Sequence, residues 1–399
     1  MFNGMKIIHN IASIGKKSFG LGPVALNLAY EQCLLGHDSG IICLDESSEV
    51  NWAAATCGLP LENIKNFRCS GPKKLMMSFE MEHYVRREIL SKISIVHQHS
   101  ILIGISRVTN ILRKAHGIPI VIAPHASLEP WALNRSRWKK RLALALFERS
   151  NLKLASCIHA CSMQEVSGIR SFGLTNPVAV IPNGISSYWL ESKGSANTFR
   201  SQFDISKKKR IMLFLSRIAP VKGLTMMIEA LNSIRDYVAD WTFVLAGSDE
   251  CGHLPHIKKM ILDYGLQDSF VFTGLISGQT KRDAFAASEV FILPTLRENF
   301  AIAVVEALGA GIPVITTKGA PWEELVDNDC GWWSDVSAES LALSICDAVK
   351  KSPDELRAMG RRGRELVSSK YSWKQSAQMT IELYRWLLGQ DRRPNFVIY

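Results

Sequence analysis

Residues 290–309 read VFILPTLRENFAIAVVEALG, and this stretch decides the fold. Its first four residues are apolar and partly β-branched, which is typical of a buried strand, and Pro294 follows them directly. A short polar turn around Glu298 then leads into an apolar segment with the composition of a buried helix. A strand that runs into a helix in this way is half of a βαβ unit, the building block of parallel sheets.

The same alternation of strands and helices extends outward through both halves of the chain. In the second half we predict strands at Arg210–Leu215, Thr242–Leu245, Phe270–Phe272, Val290–Leu293 and Pro313–Thr316. In the first half we predict strands at Lys6–Ile11, Ser39–Cys43, Ile93–Val96 and Ile120–Ala123, and helices at Pro23–Leu35, Tyr84–Leu90 and Ile103–Ala115. This pattern predicts an α/β protein with two Rossmann-like, doubly wound domains.

The length of 399 residues suits two domains of ordinary size. We expect a first domain over 1–185, an inter-domain crossover over 186–209, a second domain over 210–370, and a C-terminal helix within 371–399 that packs back on the first domain. Two such domains leave a central cleft between them. Ligands of open parallel sheets bind beyond the carboxyl ends of the strands, so the chemistry is expected there.

Composition excludes several classes of protein. With 47% hydrophobic and 21% charged residues, disorder is not expected, and no apolar stretch is long enough for a membrane span. The N-terminal residues lack the pattern of a secretory signal, and the nine cysteines form no Cys-x-x-Cys pair, so we expect reduced thiols in a cytoplasmic protein.

Positive charge is concentrated in the first half of the chain. Residues 1–199 carry 22 basic against 13 acidic residues, a net charge of +9, whereas residues 200–399 carry only +1. The asymmetry predicts an anionic partner for the first half: nucleic acid, an acidic substrate or a lipid surface. Residues 134–141, NRSRWKKR, form the densest basic segment, and they suit a membrane surface or a lipid-diphosphate acceptor as well as a plain solvated helix. We expect no nucleic acid, because no binding motif is present.

Two carboxylates in the deciding stretch suit the recognition of a sugar nucleotide. Glu298 lies in the strand-to-helix turn and Glu306 lies two helical turns later, about 12 Å along the axis. Both can accept hydrogen bonds from hydroxyl groups, and the helix N-terminus between them favours a diphosphate. Alternatively, Glu298 is a solvated residue and Glu306 an ordinary member of a helix face.

A second motif, SRIAPVKG at 216–223, places two cations after the strand Arg210–Leu215. Arg217 can bind a phosphate through two parallel hydrogen bonds, and Lys222 adds a compact charge, so that together they can stabilise a departing nucleoside diphosphate without a metal ion. A basic surface turn is the alternative for either residue alone.

Three further patterns are weaker. The loop SFGLGP at 18–23 places Gly20 and Gly22 before a helix, where the backbone can approach a phosphate closely, or forms a plain turn. Asp327-Asn328-Asp329 has the form of a metal-binding Asp-x-Asp motif, but its residues favour a turn. His97 and His99 could be a ligand pair, but no third ligand is near in sequence, so we expect no metal site.

Taken together, these motifs resemble glycosyltransferase family 4, the retaining enzymes of the GT-B fold. Arg217 to Lys222 is similar to the family's Arg-x₄-Lys loop, and Glu298 to Glu306 is similar to its Glu-x₇-Glu motif. Further landmarks occur in the family's order, namely VHQH at 96–99, GIPIV at 117–121, Pro124-His125 and IPNGI at 181–185. The resemblance covers nearly the whole chain. Phe19, Ala126 and Ala301 depart from it, because each replaces a glycine of the family pattern.

The resemblance implies a role for each matched residue. Glu298 would bind hydroxyl groups of the donor sugar, Glu306 the ribose, and Arg217 with Lys222 the diphosphate. His125 would contact the donor sugar from the first domain, and the sugar and phosphate would be cradled by Gly20, Gly22 and the backbone amides of Asn299, Phe300 and Ala301.

The resemblance also implies a function. The chain would transfer a sugar from a UDP- or GDP-sugar, with retention and without a metal ion or other cofactor, to a glycan or an undecaprenyl-diphosphate-linked acceptor. PHASLEPW at 124–131 and KGAPWEEL at 318–325 resemble bacterial enzymes of O-antigen, capsule or exopolysaccharide assembly, which implies cytoplasmic work with peripheral contact at the inner face of the plasma membrane as an option. A nucleotide-sugar epimerase on the same fold and a non-catalytic sugar-nucleotide-binding protein remain the alternatives.

Overall fold

The structure is a computed structural model that describes residues 4–18, 20–71, 75–87, 93–129, 133, 137–191, 193–249 and 251–399. The chain divides into two compact units. The first unit consists of Met1–Gly184 and Trp373–Tyr399, and the second of Ile185–Ser372. The segment 186–209, which we predicted to be a crossover, is therefore part of the second unit, where the helix Ala196–Gln202 packs against the helix Gly278–Ala287.

Each unit is built on one sheet. The strands in chain order are β1 (Lys6–Asn10), β2 (Asp38–Cys43), β3 (Ile64–Asn66), β4 (Ile95–His99), β5 (Ile120–Ala123), β6 (Cys157–Ala160), β7 (Val178–Val180), β8 (Arg210–Leu215), β9 (Trp241–Ala246), β10 (Phe270–Gly274), β11 (Val290–Leu293), β12 (Val314–Thr317), β13 (Gly331–Ser334) and β14 (Val397–Ile398). The first sheet has the order β14-β7-β6-β5-β4-β1-β2-β3 and the second the order β10-β9-β8-β11-β12-β13.

Among the strands that the described residues form, every pair except one is parallel. The exception is the short C-terminal strand β14, which pairs antiparallel with β7 at the edge of the first sheet. In each unit the chain first builds the sheet outward in one direction and then returns to the centre to build the other half, as in doubly wound folds. The reversal falls between β1 and β4 in the first sheet and between β8 and β11 in the second.

Helices connect successive strands and cover the sheets. Their bounds are Leu21–Leu34, Ser47–Cys57, Phe79–Arg87, Ile105–His116, Arg137–Ala143, a π-helical turn at Leu144–Glu148, Arg149–Lys153, Met163–Ser171, Ser187–Glu191, Ala196–Gln202, Leu224–Ser233, Leu254–Asp263, Gly278–Ala287, Ile302–Gly309, Glu324–Asp327, Ala338–Lys350, Pro353–Lys370 and Trp373–Leu387. Within the described ranges, no helix combines the length and the apolar character that crossing a lipid bilayer requires.

The C-terminal helix Trp373–Leu387 completes the core of the first unit. It packs against the helix Leu21–Leu34, and its Tyr384 is fully buried beside Ile7 and Ile95 of the central strands. The first unit is thus completed by residues that follow the whole second unit in sequence.

The largest departure from the sequence prediction concerns β4. We predicted a strand at Ile93–Val96 that ends before His97, whereas the strand covers Ile95–His99 and all five of its residues are buried. The helix predicted at Tyr84–Leu90 begins earlier, at Phe79, and residues 88–90 lie outside the described residues. Strands β3, β6, β7, β13 and β14 were not predicted.

Candidate functional site

The loops that follow β8 and β11 form the candidate site of the second unit. The two strands are neighbours, with Met212 opposite Val290 and Leu213 opposite Phe291. The chain leaves β8 toward β9 on one side and leaves β11 toward β12 on the other, so the loops after them diverge. Diverging loops at such a reversal open a crevice beyond the carboxyl ends of the strands, where doubly wound sheets bind ligands. Arg217, Lys222 and Glu298 all lie in these two loops.

Hydrogen bonds hold the two loops together. The Leu296 amide donates to the Val221 carbonyl at 2.8 Å, and the Thr295 hydroxyl donates to the same oxygen at 3.0 Å. Gly223 has a left-handed conformation with φ +71°, and a Cβ atom there would lie 1.8 Å from the Pro294 carbonyl oxygen. Glycine is therefore required both by the backbone conformation and by the close approach of the second loop.

Lys222 and Glu298 form an ion pair across the two loops. Their side chains are 9% and 19% exposed, and the Glu298 amide donates to the Gly319 carbonyl at 2.7 Å. The pairing brings together two residues that are 76 positions apart and that sequence analysis placed in separate motifs. Such a pair can offer both a cation to a phosphate and a carboxylate to sugar hydroxyls.

Arg217 lies in the loop after β8, and Asn299 lies in the loop after β11. Arg217 is exposed and precedes Ile218, whose amide donates to the Ser248 carbonyl at 2.9 Å. Asn299 follows Glu298 directly, at the end of the polar turn before the helix. Their positions agree with roles at a ligand, and those roles stay predictions.

The helix Ile302–Gly309 begins at this edge of the sheet. Its N-cap residue Ala301 is left-handed, with φ +63° and ψ +70°, and provides no side-chain cap. The Val304 amide donates to the Ala301 carbonyl at 2.9 Å, and the amides of Ile302 and Ala303 before it are left for a ligand or solvent. Phe300 is held by packing on Trp322, whose indole Nε1 donates to the Phe300 carbonyl at 2.6 Å.

The left-handed conformation explains why glycine suits the position of Ala301. The left-handed conformation costs an alanine roughly 1–2 kcal/mol more than a glycine. Part of this cost is offset because alanine makes the unfolded chain less flexible than glycine does. We expect Ala301→Gly to raise the free energy of unfolding by about 0.5–1 kcal/mol. The control is Ala303→Gly inside the same helix, which should lower it by about 0.5–1 kcal/mol. Urea unfolding measures both, and equal signs for the two variants would contradict the assignment of strain to Ala301.

Glu306 binds a lysine that sequence analysis did not identify. The Lys281 ammonium lies 2.6 Å from the Glu306 carboxylate and 5.1 Å from the ring centroid of Trp189. The Trp189 indole donates to the Glu306 carbonyl at 3.0 Å. The carboxylate predicted to bind ribose is thus paired with a lysine that also contacts an aromatic ring, and no local pattern around Lys281 indicates this contact.

His125, the residue predicted to contact the donor sugar, follows β5 in the first unit. It is half-buried, and both His125 and Ala126 are left-handed, with φ +49° and +60°. The Ala126 amide donates to the buried carboxylate of Glu165 at 2.7 Å, and Glu165 also accepts from the Cys161 amide at 2.8 Å. A bridge between the ends of β5 and β6 therefore fixes the turn at His125.

His125 is the outer end of a cluster of five histidines, with His9, His97, His99 and His159 inside. His125 Nε2 lies 3.2 Å from His99 Nδ1, and His99 Nε2 lies 2.9 Å from His9 Nδ1. His9 Nε2 lies 2.9 Å from the Gln32 side-chain oxygen. This chain of hydrogen bonds runs from the end of β5 through β4 and β1 to the helix Leu21–Leu34.

A second branch links the remaining two histidines. His97 Nδ1 lies 2.7 Å from the Tyr384 hydroxyl, His97 Nε2 lies 3.2 Å from His159 Nδ1, and His159 Nε2 lies 2.9 Å from the Ile181 carbonyl. Burial lowers the pKa of His9 and His159 to about 4 and the pKa of His125 to about 3. It lowers the pKa of His97 and His99 well below the usual value, so all five rings are neutral at pH 7.

The glycine loop of the first unit leads closely packed into the helix Leu21–Leu34. Gly22 is buried, and a Cβ atom there would lie 2.0 Å from the Ser18 hydroxyl, so it serves close packing. Gly20 is exposed and caps the helix Leu21–Leu34 without a left-handed backbone. The amides of Ile14 and Gly15 donate to Asp45, at 2.5 and 3.2 Å. Phe19 lies outside the described residues, and contact of this loop with a phosphate stays a prediction.

Two patterns considered for metal binding have other partners. Asp329 forms an ion pair with Arg362, and Asp327 is exposed at the end of a short helix, in agreement with a turn. His9, His97 and His99 form the one group of three or more metal-ligating side chains that the described residues bring together. All six of their ring nitrogens already have the hydrogen-bond partners given above, which a cation would have to displace.

Comparisons with known proteins cover both units. Residues 195–366 match the family described as "Glycosyl transferases group 1", and residues 19–184 match the "Glycosyl transferase 4-like domain". Over 210 residues the chain is 25% identical to the lipopolysaccharide 1,2-N-acetylglucosaminetransferase of Salmonella typhimurium, which covers 50% of this chain and 54% of that protein. The chain thus spans about half the length of the first curated relatives that it matches.

Solved structures share the fold over nearly the whole chain. A glycosyltransferase from Rickettsia africae has a TM-score of 0.76 at 17% identity, over 98% of this chain and 100% of that one. Alr3699/HepE of Anabaena, solved with UDP and glucose, has a TM-score of 0.75 at 18% identity, over 95% and 99%. These likenesses confirm the predicted GT-B fold of two Rossmann-like domains, while the central cleft stays a prediction. With a matching family in each of its two units, the chain belongs to the group 1, family 4-like glycosyltransferases of the GT-B fold.

Proposed function

We propose that the protein is a retaining glycosyltransferase that transfers a sugar, of the hexosyl type, from a nucleotide-sugar donor to a hydroxyl group of a glycan or lipid-linked glycan. One observation carries this proposal. The Lys222–Glu298 pair lies at the reversal of the second sheet, beside the uncapped start of the helix Ile302–Gly309, in a chain that belongs to the glycosyltransferases. A cation, a carboxylate and free amides at one edge suit a sugar diphosphate.

The division of labour among these residues follows from their charges. Arg217, Lys222 and the first-turn amides of the helix bind the diphosphate and stabilise the negative charge that grows on it as the glycosidic bond breaks. Glu298 accepts hydrogen bonds from sugar hydroxyls and Glu306 from the ribose. His125 contacts the donor sugar from the first unit.

The proposed reaction is a front-face displacement. The acceptor hydroxyl attacks the anomeric carbon on the side from which the diphosphate leaves, and a leaving phosphate oxygen takes the hydroxyl proton. The bond from the anomeric carbon to the phosphate oxygen breaks as the new glycosidic bond forms, with the configuration retained. The residues of the chain act by positioning and by charge stabilisation, without a protein nucleophile.

The comparisons support the substrate classes within this proposal. The Anabaena protein was solved with UDP and glucose, which is compatible with the proposed UDP- or GDP-sugar donor, and the Salmonella relative is by its name a lipopolysaccharide N-acetylglucosaminetransferase. We therefore propose an acceptor in bacterial surface-polysaccharide or lipopolysaccharide assembly, such as an undecaprenyl-diphosphate-linked glycan, and cytoplasmic work at the inner face of the membrane.

The test is product analysis with a panel of UDP-, GDP- and ADP-sugars. Proton NMR of the product should show a new glycosidic bond with the donor's anomeric configuration, formed only when acceptor is present. An inverted product would refute retention. A changed free nucleotide sugar without acceptor would identify the epimerase alternative, and tight donor binding without any turnover would identify the non-catalytic alternative.

We expect the transfer to be independent of divalent metal ions. The cations of Arg217 and Lys222 and the helix amides can supply the charge that a divalent ion supplies in other transferases. The initial rate should therefore be unchanged by EDTA and by added Mg²⁺ or Mn²⁺. A rate that EDTA abolishes and Mn²⁺ restores would contradict this and would return attention to Asp327 and Asp329.

The basic segment of the first unit favours contact with an anionic membrane. The helix from Arg137 onward exposes three large apolar side chains four residues apart, Trp138, Leu142 and Leu146, with exposures of 69%, 53% and 71%. Arg141 is exposed among them, while Arg135 lies outside the described residues. Apolar side chains interleaved with cations suit insertion at the headgroup level of an anionic bilayer.

We expect peripheral binding to liposomes that contain anionic lipid, lost at 1 M salt, where screening shortens to about 3 Å. Trp138→Ser, Leu142→Ser and Leu146→Ser combined should weaken binding at least tenfold. So should serine at the cations Arg135, Arg137, Lys139, Lys140 and Arg141, since each contributes about 1 kcal/mol near the surface. Leu262→Ser, at an exposed leucine of the second unit, is the control and should change nothing. If the protein does not bind anionic liposomes at low salt, the acceptor is not membrane-bound.

A further inference from the structure

The positions of the protons along the histidine chain can be assigned from its inner end. The Thr380 hydroxyl donates to the Ala377 carbonyl at 2.7 Å, so it can only accept from the Gln32 side chain, 2.9 Å away. The Gln32 amide nitrogen therefore faces Thr380, and its oxygen faces His9 and Ser39. The Ser39 hydroxyl donates to that oxygen at 2.8 Å, which leaves one lone pair for His9.

The assignment propagates outward one ring at a time. A neutral imidazole has one N–H donor and one acceptor nitrogen. His9 Nε2 must donate to the Gln32 oxygen, so His9 Nδ1 accepts from His99 Nε2. His99 Nδ1 then accepts in turn, and His125 Nε2 must donate to it.

In the second branch the direction of hydrogen-bond donation can be assigned independently, from the Ile181 carbonyl. The Ile181 carbonyl can only accept, so His159 Nε2 donates to it and His159 Nδ1 accepts from His97 Nε2. His97 Nδ1 is then an acceptor, and the Tyr384 hydroxyl donates to it. Burial raises the pKa of Tyr384, in agreement with a hydroxyl that keeps its proton. Each of the five rings thus carries one proton, and no contact in either branch sets two donors or two acceptors against each other.

We propose that Gln32, His9 and His99 are positioning residues that hold His125 as the Nε2–H tautomer, so that its Nδ1 presents a hydrogen-bond acceptor to a hydroxyl group of the donor sugar. The sugar contact rests on the proposed function, whereas the tautomer rests on the hydrogen bonds alone. Within the described residues His125 Nδ1 has no hydrogen-bond partner, and the residue is only half-buried.

An acceptor-only nitrogen selects the chemistry of its ligand. It receives a hydrogen bond from a hydroxyl group, and it repels a carboxylate, which has lone pairs but no proton. A histidine that titrated near neutral pH would instead attract a carboxylate when charged. The buried chain therefore favours a neutral sugar hydroxyl over a uronic acid group at this contact.

The direct test is the tautomer of His125 in the full chain labelled with ¹⁵N-histidine. Long-range proton–nitrogen NMR at pH 7 distinguishes the two tautomers and the charged ring, and loss of one signal set in His125→Phe assigns the residue. We expect Nε2 protonated and Nδ1 unprotonated. A His125 that carries its proton on Nδ1, or on both nitrogens, would overturn the proposal without any measurement of activity.

Variants at the inner end test the positioning. Gln32→Met removes the oxygen that sets the polarity and should give a mixture of His125 tautomers, while Ser39→Ala removes only the other donor to that oxygen and should leave one tautomer. His125→Phe should lower kcat/KM about tenfold for the loss of one neutral hydrogen bond. Gln32→Met should lower kcat/KM by a smaller factor. In the His125→Phe background, adding Gln32→Met should not lower kcat/KM any further.

The outcomes separate the two claims. If Gln32→Met lowers kcat/KM by the same factor in the wild type and in the His125→Phe background, Gln32 does not act through His125. That result would overturn the positioning role. A chain with the expected tautomer that binds no nucleotide sugar would refute the proposed function and the sugar contact, and the tautomer would stand.

Discussion

Lowering the pH from 7 to 5 should unfold the first unit while the second stays folded. The five clustered histidines are neutral when folded, because burial lowers the pKa of each below the value of about 6.5 that it has in the unfolded chain. Below pH 6.5 the unfolded state binds protons that the folded state does not, so stability is lost as the pH falls.

The expected magnitude is large. For each histidine, the free energy of unfolding falls by about 1.4 kcal/mol per pH unit below 6.5 until the folded pKa is reached. At pH 5 this loss is about 2 kcal/mol. Five histidines together remove about 10 kcal/mol, which is comparable to the whole stability of a typical domain. The raised pKa of the buried Glu148 acts in the opposite direction, because the folded state binds that proton at pH values above the unfolded value of 4.5, but this is one group against five.

Hydrogen exchange as a function of pH measures the two units separately. Protection in β1, β4 and β5 should collapse between pH 6.5 and 5, while β8 and β11 stay protected. His159→Gln removes one titrating group and should reduce the proton uptake on unfolding by about one proton. His256→Gln is the control, because it lies in the second unit, which stays folded over this pH range. Joint unfolding of both units, or full protection of β4 at pH 4, would contradict the neutral cluster.

Lys222→Met and Glu298→Gln should each lower turnover roughly 10²–10³-fold with donor saturating. Losing one preorganised charge contact to a transition state costs about 2.7–4 kcal/mol. Each variant also leaves a partly buried partner unpaired, which should cost about 2 kcal/mol of stability, less than the 3–5 kcal/mol of a fully buried pair because Glu298 keeps some exposure. Turnover and unfolding free energy must therefore be measured together.

Two controls separate catalysis from folding. The double variant Lys222→Met with Glu298→Gln removes both charges, so stability should recover while turnover stays low. Glu289→Gln breaks an ion pair with Arg210, 2.8 Å between the charged atoms, on the same two strands at the opposite edge of the sheet, and should leave turnover near the wild-type value. Near-wild-type turnover in Lys222→Met or in Glu298→Gln would contradict the site.

The parts of the site that follow from local pattern were predictable from sequence. Strands β8 and β11 are short apolar runs bounded by polar turns, so their ends, and with them Lys222 and Glu298, could be located. The parallel sheet then implied that these ends lie at one edge. What could not be read was the direct ion pair, since it depends on the loops being hydrogen-bonded to each other.

The histidine cluster could not be predicted, for a physical reason. The predicted strand ended at Val96, before His97 and His99, because a buried polar residue depends on partners that a local pattern does not contain. Those partners come from β1, about 90 residues earlier, and from the C-terminal helix, since Tyr384 is 287 positions from His97. Lys281 was not predicted for the same reason, because its ion pair with Glu306 depends on a contact between two different helices.

The central claim, that the edge of the second sheet at β8 and β11 binds a nucleotide-sugar diphosphate, is tested most directly by calorimetry. UDP-, GDP- and ADP-sugars are titrated in EDTA into the wild type, Arg217→Met and the control Arg235→Met, which removes a cation before β9 at the opposite edge. We expect one nucleotide class to bind, with affinity about 10–100-fold weaker in Arg217→Met, because hydrogen bonds to charged groups contribute about 1.5–3 kcal/mol, and unchanged in Arg235→Met. Binding of no nucleotide sugar, or equal affinity in Arg217→Met and the wild type, would contradict the claim.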